Sequence, residues 1–195
     1  MATEIIIDAE KSFIGAWILP DVSICDKLID FFESSPDTRL GEVMVGNESS
    51  VVKTTKDSID LPMIPDYSLS QPYLDALQIA VEEYKKKYTW SNVTSPWGIE
   101  AVNLQKYNPG GAYFNWHAER TGGSWIAGKR HLVFMTYLND VTDEGETEFF
   151  YQKVKVKPQK GLTLIWPADW THTHRGCPSM TQTKYIATGW FRFTD

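Results

Sequence analysis

Apolar side chains recur at two different periods along this chain, and the change from one to the other divides it. Over residues 22–33, Ile24, Leu28 and Phe32 fall four apart behind Asp21, a residue type that caps helices, which predicts a short amphipathic helix. Between Pro72 and Tyr88 the stripe Leu74, Leu77, Val81, Tyr84 and Tyr88 predicts a second, stronger helix with one apolar face. Residues 40–66 lie between them. They are rich in Ser, Thr, Gly and Asp, hold Pro62 and Pro65, and show only a weak strand signal at Val51 and Val52, so they read as a long mobile loop of lid length. From Trp97 onward the period falls to two. Strands are predicted at 97–107, 113–118, 131–139, 147–157, 161–166, 170–176 and 183–193, parted by Pro109-Gly110-Gly111, Gly122-Gly123, Asp143-Glu144-Gly145 and Gly176-Cys177-Pro178. Seven or eight short strands with no helix among them predict a mainly β (α+β) jelly roll, the upstream helices buttressing one sheet. No repeat or linker divides the 195 residues, so a single domain over 1–195, with its core at about 97–193, is expected.

Composition narrows the classes. With 42% apolar and 23% charged residues the chain is an ordinary globule, neither disordered nor fibrous. Its longest apolar run, Phe13 to Pro20, is far short of the ~20 residues that span a bilayer. Glu4, Asp8 and Glu10 stand where a secretory signal would be basic, so a cytoplasmic protein with no membrane partner is expected. Cys25 and Cys177 are far apart and unpaired in sequence, which indicates neither a disulfide framework nor a thiolate zinc site. A net charge of −6 argues against a nucleic-acid partner held through phosphates. Lys85-Lys86-Lys87 closes a helix, and Lys153, Lys155 and Lys157 alternate along a strand; both groups read as solvated faces. The eight tryptophans, about three times ordinary usage, have no such explanation.

The sharpest local feature is Trp116-His117-Ala118-Glu119. On an extended segment His117 and Glu119 share a face, and an imidazole beside a carboxylate makes half of a metal site. His172 and His174 repeat the two-residue spacing downstream. Two imidazoles and a carboxylate form the facial triad of non-haem Fe(II) oxygenases, which leaves positions open for a bidentate co-substrate and dioxygen. Lys184 sits ten residues after His174, on the face of Ile186, Thr188, Trp190 and Arg192. An inward lysine is costly unless an anion meets it. The distal carboxylate of 2-oxoglutarate is such an anion.

From Leu104 to the end, the chain resembles the 2-oxoglutarate- and Fe(II)-dependent dioxygenases of the prolyl 4-hydroxylase type. The residues that carry the likeness are Tyr107, Gly110-Gly111, Tyr113, His117-Ala118-Glu119, Tyr137-Leu138-Asn139-Asp140, Gly145-Glu146-Thr147, His174, Pro178, Lys184 and Trp190. The resemblance implies a double-stranded β-helix, with His117, Glu119 and His174 as iron ligands and catalytic centre. It implies that Lys184 pairs with 2-oxoglutarate, that Tyr107 and Thr147 bind or wall the same co-substrate, and that Trp190 packs near it. Arg130 and Tyr113 are implied on the substrate side. His174 is preferred to His172 as ligand because only His174 has Pro at +4 and Lys at +10; His172 is left beside the substrate, and His131 to structure. Three departures mark a divergent branch: Glu119 for the usual Asp, one residue inserted between Tyr113 and His117, and Glu144 where a Gly is usual.

The expected activity is hydroxylation of an unactivated C–H bond, with Fe(II) as cofactor, 2-oxoglutarate as co-substrate and ascorbate as a candidate reductant. The substrate is peptidyl proline by resemblance, or a free amino acid or other small molecule; the sequence does not choose, nor does it give an oligomeric state. Two other readings compete. One is a jelly-roll binding module whose Trp97, Trp125 and Trp170 are stacking platforms. The other is a cupin using zinc or manganese without the oxo acid. Convergence of His117, Glu119 and His174 separates the enzyme from the binding module.

Overall fold

The computed structural model describes residues 2–6, 12–45, 48–63, 69–92, 96–122 and 124–194. The strands are β1 (Thr3–Glu4), β2 (Gly15–Ile18), β3 (Arg39–Leu40), β4 (Val43–Val45), β5 (Glu48–Ser50), β6 (Ile59–Pro62), β7 (Trp97–Tyr107), β8 (Arg130–Tyr137), β9 (Thr147–Phe149), β10 (Val154–Val156), β11 (Leu162–Pro167), β12 (His174–Gly176) and β13 (Lys184–Phe193). The helices are α1 (Ser23–Ser34), α2 (Ser70–Lys87) and the single turn α3 (Trp125–Gly128). An eight-stranded sheet runs β1-β2-β11-β8-β13-β7-β6-β3, antiparallel throughout, and a smaller one runs β10-β9-β12. This is the expected mainly β jelly roll with helices on one side. Among the described residues no helix is long and apolar enough to cross a membrane.

Strict alternation sorts the large sheet into two faces. Leu104, Leu132, Phe134, Ala187 and Phe191 point to the helices and pack with Leu28, Phe32, Tyr73, Leu77, Val81 and Tyr84. Tyr107, Val133, Met135, Tyr137, Trp166 and Ile186 point the other way, and with Phe149, Val154 and Val156 of the small sheet they fill the space between the sheets. Asp21 accepts the Ser23 amide at 2.9 Å, so it caps α1 from one residue earlier than the strict cap position. On α2 the buried face is centred on Tyr73 rather than Leu74: Tyr73 reaches through to Thr136, which in turn meets Thr163 at 2.8 Å.

Several predicted elements change. The stretch 40–66 is no structureless loop: β4 pairs with β5, and β6 joins the large sheet against β7. These strands are two to four residues long, too short to leave a clear period, and β3 and β6 draw their order from distant partners, which local composition does not report. Residues 46–47 and 64–66 of that stretch lie outside the described residues. The strand predicted at 113–118 is reduced to single bridges, Tyr113 to Lys56 and His117 to His174. The strand at 147–157 is a hairpin, β9 and β10, whose turn uses Lys153 at φ 58° instead of a glycine. Residues 170–172 form a 3-10 turn, and α3 interrupts the strand series.

Candidate active site

The inner face of the large sheet carries a cavity of about 430 Å³, and the small sheet closes over it. Its far wall is set by strand parity. Lys184, Ile186, Thr188 and Trp190 of β13 line it, as do Asn103, Gln105 and Tyr107 of β7. His117 and His174 come from the opposite side, held together by reciprocal main-chain hydrogen bonds of 3.0 and 2.9 Å. That bridge explains why residues so far apart in sequence present their rings at one place.

The triad converges. His117, Glu119 and His174 offer ligand atoms that all lie within 4.8 Å of one another. The Nδ1 atoms of His117 and His174 each lie 2.9 Å from a main-chain oxygen, that of Asn115 and of His172 respectively. A carbonyl can only accept, so Nδ1 carries the proton in both rings and each Nε2 presents a lone pair. Glu119 Oε1 lies 3.3 Å from one Nε2 and 3.6 Å from the other. Burial, then the charge of His117, lowers the pKa of His174 and favours its neutral form. Burial pushes the Glu119 carboxyl up, but the two imidazoles, whenever they carry a second proton on Nε2, outweigh it by hydrogen bonding and charge and hold it well below the usual carboxylate range; with the rings neutral those protons are gone. Three electron-pair donors facing one point with no proton between them fit a divalent cation.

A second charged feature faces the same cavity. Lys184 is only 4% exposed, and its ammonium donates to the carbonyls of Gly145 and Cys177 at 2.8 and 3.2 Å and sits 5.1 Å from the Tyr107 ring. Burial brings its pKa down to about 8. Those partners leave its charge uncompensated, as a site for an anion requires. Gly145 stands at φ 77° beside Glu144 at φ 57°, so the left-handed turn that aims this carbonyl is kept although Glu replaces a glycine, at about 1–2 kcal/mol. Thr147 is buried under the Tyr137 hydroxyl at 2.7 Å. The Tyr107 hydroxyl donates to Gln105 Oε1 at 2.7 Å, and burial raises its pKa well above the ordinary value.

Of the remaining candidates, Tyr113 lines the cavity and stacks on His117 at 3.7 Å and 10° between planes. Arg130 also lines it, paired with Glu100 and Glu119. His172 takes another course. Because 170–172 is a 3-10 turn, strand parity with His174 fails, and His172 Nε2 instead meets the Ser12 carbonyl at 2.9 Å, away from the cavity lining. His131 packs on Phe193 and meets the Ser91 carbonyl at 2.7 Å.

Sequence reading missed one cluster in the wall. Buried Lys56 and Asp60 form an ion pair, and Ser58, Asn103 and Gln105 also donate to that carboxylate. The signal was available in β7, where Asn103, Gln105 and Tyr107 alternate with Val102 and Leu104, so the polar set had to face inward. Two buried atoms of the cavity-lining residues, Trp166 Nε1 and Asn103 Oδ1, have no partner and are left for a polar molecule. Trp116 and Trp170 lie outside, in an exposed ridge of rings, Trp116, Phe150, Tyr151 and Trp170, each 5.1–5.8 Å from the next.

The jelly roll thus lines one cavity with two imidazoles and a carboxylate, a donor set that fits a divalent metal, and with a buried lysine. Residues 102–192 match the family profile of the 2OG-Fe(II) oxygenase superfamily. Over that stretch, a little under half of its length, the chain is similar to this superfamily, whose members use Fe(II) and 2-oxoglutarate. Distant relatives are prolyl 4-hydroxylases. The chain is 26% identical over 129 residues to mouse prolyl 4-hydroxylase subunit alpha-3, covering 60% of this chain and 24% of the relative. It is 28% identical over 120 residues to the probable prolyl 4-hydroxylase 9 of Arabidopsis thaliana, covering 49% and 42%. The chain thus spans less than half the length of either relative. The fold resembles that of the viral collagen prolyl hydroxylase of Paramecium Bursaria Chlorella virus-1, solved as its 2OG complex: TM-score 0.69, 19% identity, 95% of this chain and 98% of that one.

Proposed function

We propose that this protein hydroxylates an unactivated C–H bond of a prolyl residue within a polypeptide. The observation that carries the reading is the convergence of His117, Glu119 and His174 on the cavity that also holds Lys184. In this reading His117, Glu119 and His174 hold Fe(II), and Lys184 receives the distal carboxylate of 2-oxoglutarate, with Tyr107 and Thr147 beside it. Bound together, the metal and the oxo acid supply the oxidising power for C–H cleavage, with succinate and carbon dioxide as by-products. The chain's own part is to orient and to exclude. Val133, Met135, Trp166 and Ile186 form an apolar wall that keeps water out. Tyr113 fixes the plane of the His117 ring, and the Lys56–Asp60 cluster holds Gln105, which aims the Tyr107 hydroxyl.

The aromatic ridge favours a polypeptide over a free amino acid. Trp116 adjoins His117, and the rings run outward to Trp170, 66% exposed, flanked by Arg175 over Trp116 and Lys153 over Phe150. Rigid, exposed rings suit an extended, proline-containing chain. Peptides containing proline, assayed beside free proline and other free amino acids, are expected to raise succinate formation about tenfold or more above the uncoupled rate and to gain one oxygen by mass. Equal stimulation by the free amino acids would overturn the polypeptide part of this reading.

A further inference from the structure

We infer that Arg130 and Trp190 clamp one oxygen of Glu119, so that this glutamate meets the metal through its other oxygen only; the inference rests on the metal centre proposed above. The two carboxylate oxygens have different surroundings. Oε2 accepts from Trp190 Nε1 at 2.9 Å and lies 3.5 Å from Arg130 Nη1, while Oε1 faces the two imidazole nitrogens. Arg130 Nη1 also meets the Glu119 carbonyl at 3.3 Å, so the guanidinium grips both the main chain and the side chain of the ligand. The guanidinium is itself fixed. Glu100 takes Nη2 at 2.9 Å and Nε at 3.3 Å, and the plane lies 3.6 Å over the Trp190 ring. These charged side chains are 12–17% exposed, a setting in which such contacts are little screened.

The clamp answers a problem that glutamate creates. Its extra methylene adds a rotatable bond to the ligand and gives the carboxylate freedom to swing, including into a two-oxygen chelate. A six-coordinate metal with three single-atom protein ligands keeps three positions, which a chelating oxo acid and one further ligand fill. A chelating glutamate would take one of them. Tying Oε2 to Trp190 and Arg130 removes that option and stiffens the longer side chain. Arg130 and Trp190 are thus positioning residues that act through Glu119.

Trp190→Phe keeps the ring and removes the N–H donor. Titrated with Mn(II) alone and followed by electron paramagnetic resonance, this variant is expected to bind about tenfold more weakly than the native protein, within the ~10–100-fold range for loss of a partner to a metal ligand. The Co(II) electronic spectrum is expected to change with it, reporting altered coordination. In a Glu119→Asp background, where the shorter side chain withdraws from the indole, the same substitution is expected to change Mn(II) affinity less than twofold. A change below twofold in the native background, or equal losses in both backgrounds, would overturn the clamp and leave Trp190 to packing. If the native protein bound no Mn(II), or His174→Ala bound it as tightly, the metal centre itself would fail, and the clamp with it.

Discussion

His174→Ala is expected to lower 2-oxoglutarate-dependent succinate formation by more than about a hundredfold while the fold persists. Removing a partner of a metal ligand typically costs ~10–100-fold in affinity or activity, and removing the ligand costs more. His174 contributes one of three converging donor atoms, and no other imidazole among the described residues is placed to replace it: His172 is engaged with Ser12 and His131 with Ser91. The main-chain bridge to His117 does not depend on the side chain, so β12 should stay in place. Thermal unfolding should accordingly show a folded protein, destabilised by ~3 kcal/mol or less through the space left between Phe149 and Trp166. Native-like turnover in this variant would exclude His174 as a ligand.

Lys184→Met is the second large effect. Truncating one member of a buried, hydrogen-bonded charge pair costs ~2–5 kcal/mol, so the KM for 2-oxoglutarate should rise about thirtyfold or more. Without ligand the sign reverses. The ammonium is held by two carbonyls and no carboxylate, so an apolar side chain of similar length should leave the ligand-free protein as stable or more stable. The native protein should carry the same signature in pH. Burial sets the Lys184 pKa at about 8, so kcat/KM for 2-oxoglutarate should hold below that pH and fall about tenfold per unit above it as the ammonium deprotonates. Between about pH 8 and the ordinary lysine range the unfolded chain binds a proton that the ligand-free fold does not, so this group makes ligand-free stability rise with pH there. A flat kcat/KM profile to pH 10, with an unchanged KM in Lys184→Met, would remove Lys184 from the site.

What the sequence made legible follows its periodicity. The bounds of β7 match the predicted 97–107, and those of β8 and β13 differ by no more than two residues at either end, because one face of each is apolar against helices and the other faces the cavity. His117, Glu119, His174 and Lys184 were legible through motif spacing, and strand parity put Lys184 on one face with Ile186, Thr188 and Trp190, the face that lines the cavity. Where order came from distant partners, sequence was silent. β6 and the bridges at Tyr113 and His117 are held by residues tens of positions away. Parity misled at His172 because it assumed a strand across a helical turn. Arg130 was placed on the substrate side by the resemblance, and it lines the cavity; its contacts with Glu119 and with Glu100 across 30 residues leave no local mark in the sequence. Of the tryptophans, Trp166 and Trp190 line the cavity and Trp116 and Trp170 form the exposed ridge.

The most direct test is anaerobic. An α-oxo acid chelated to Fe(II) gives a visible charge-transfer band that neither component gives alone. Native protein mixed with Fe(II) and 2-oxoglutarate without oxygen should develop that band, His174→Ala should not, and admitting air should bleach it with release of succinate. No band at saturating Fe(II) and 2-oxoglutarate, together with no succinate in air from any peptide or amino acid tried, would contradict the assignment of this cavity as an oxygenase centre.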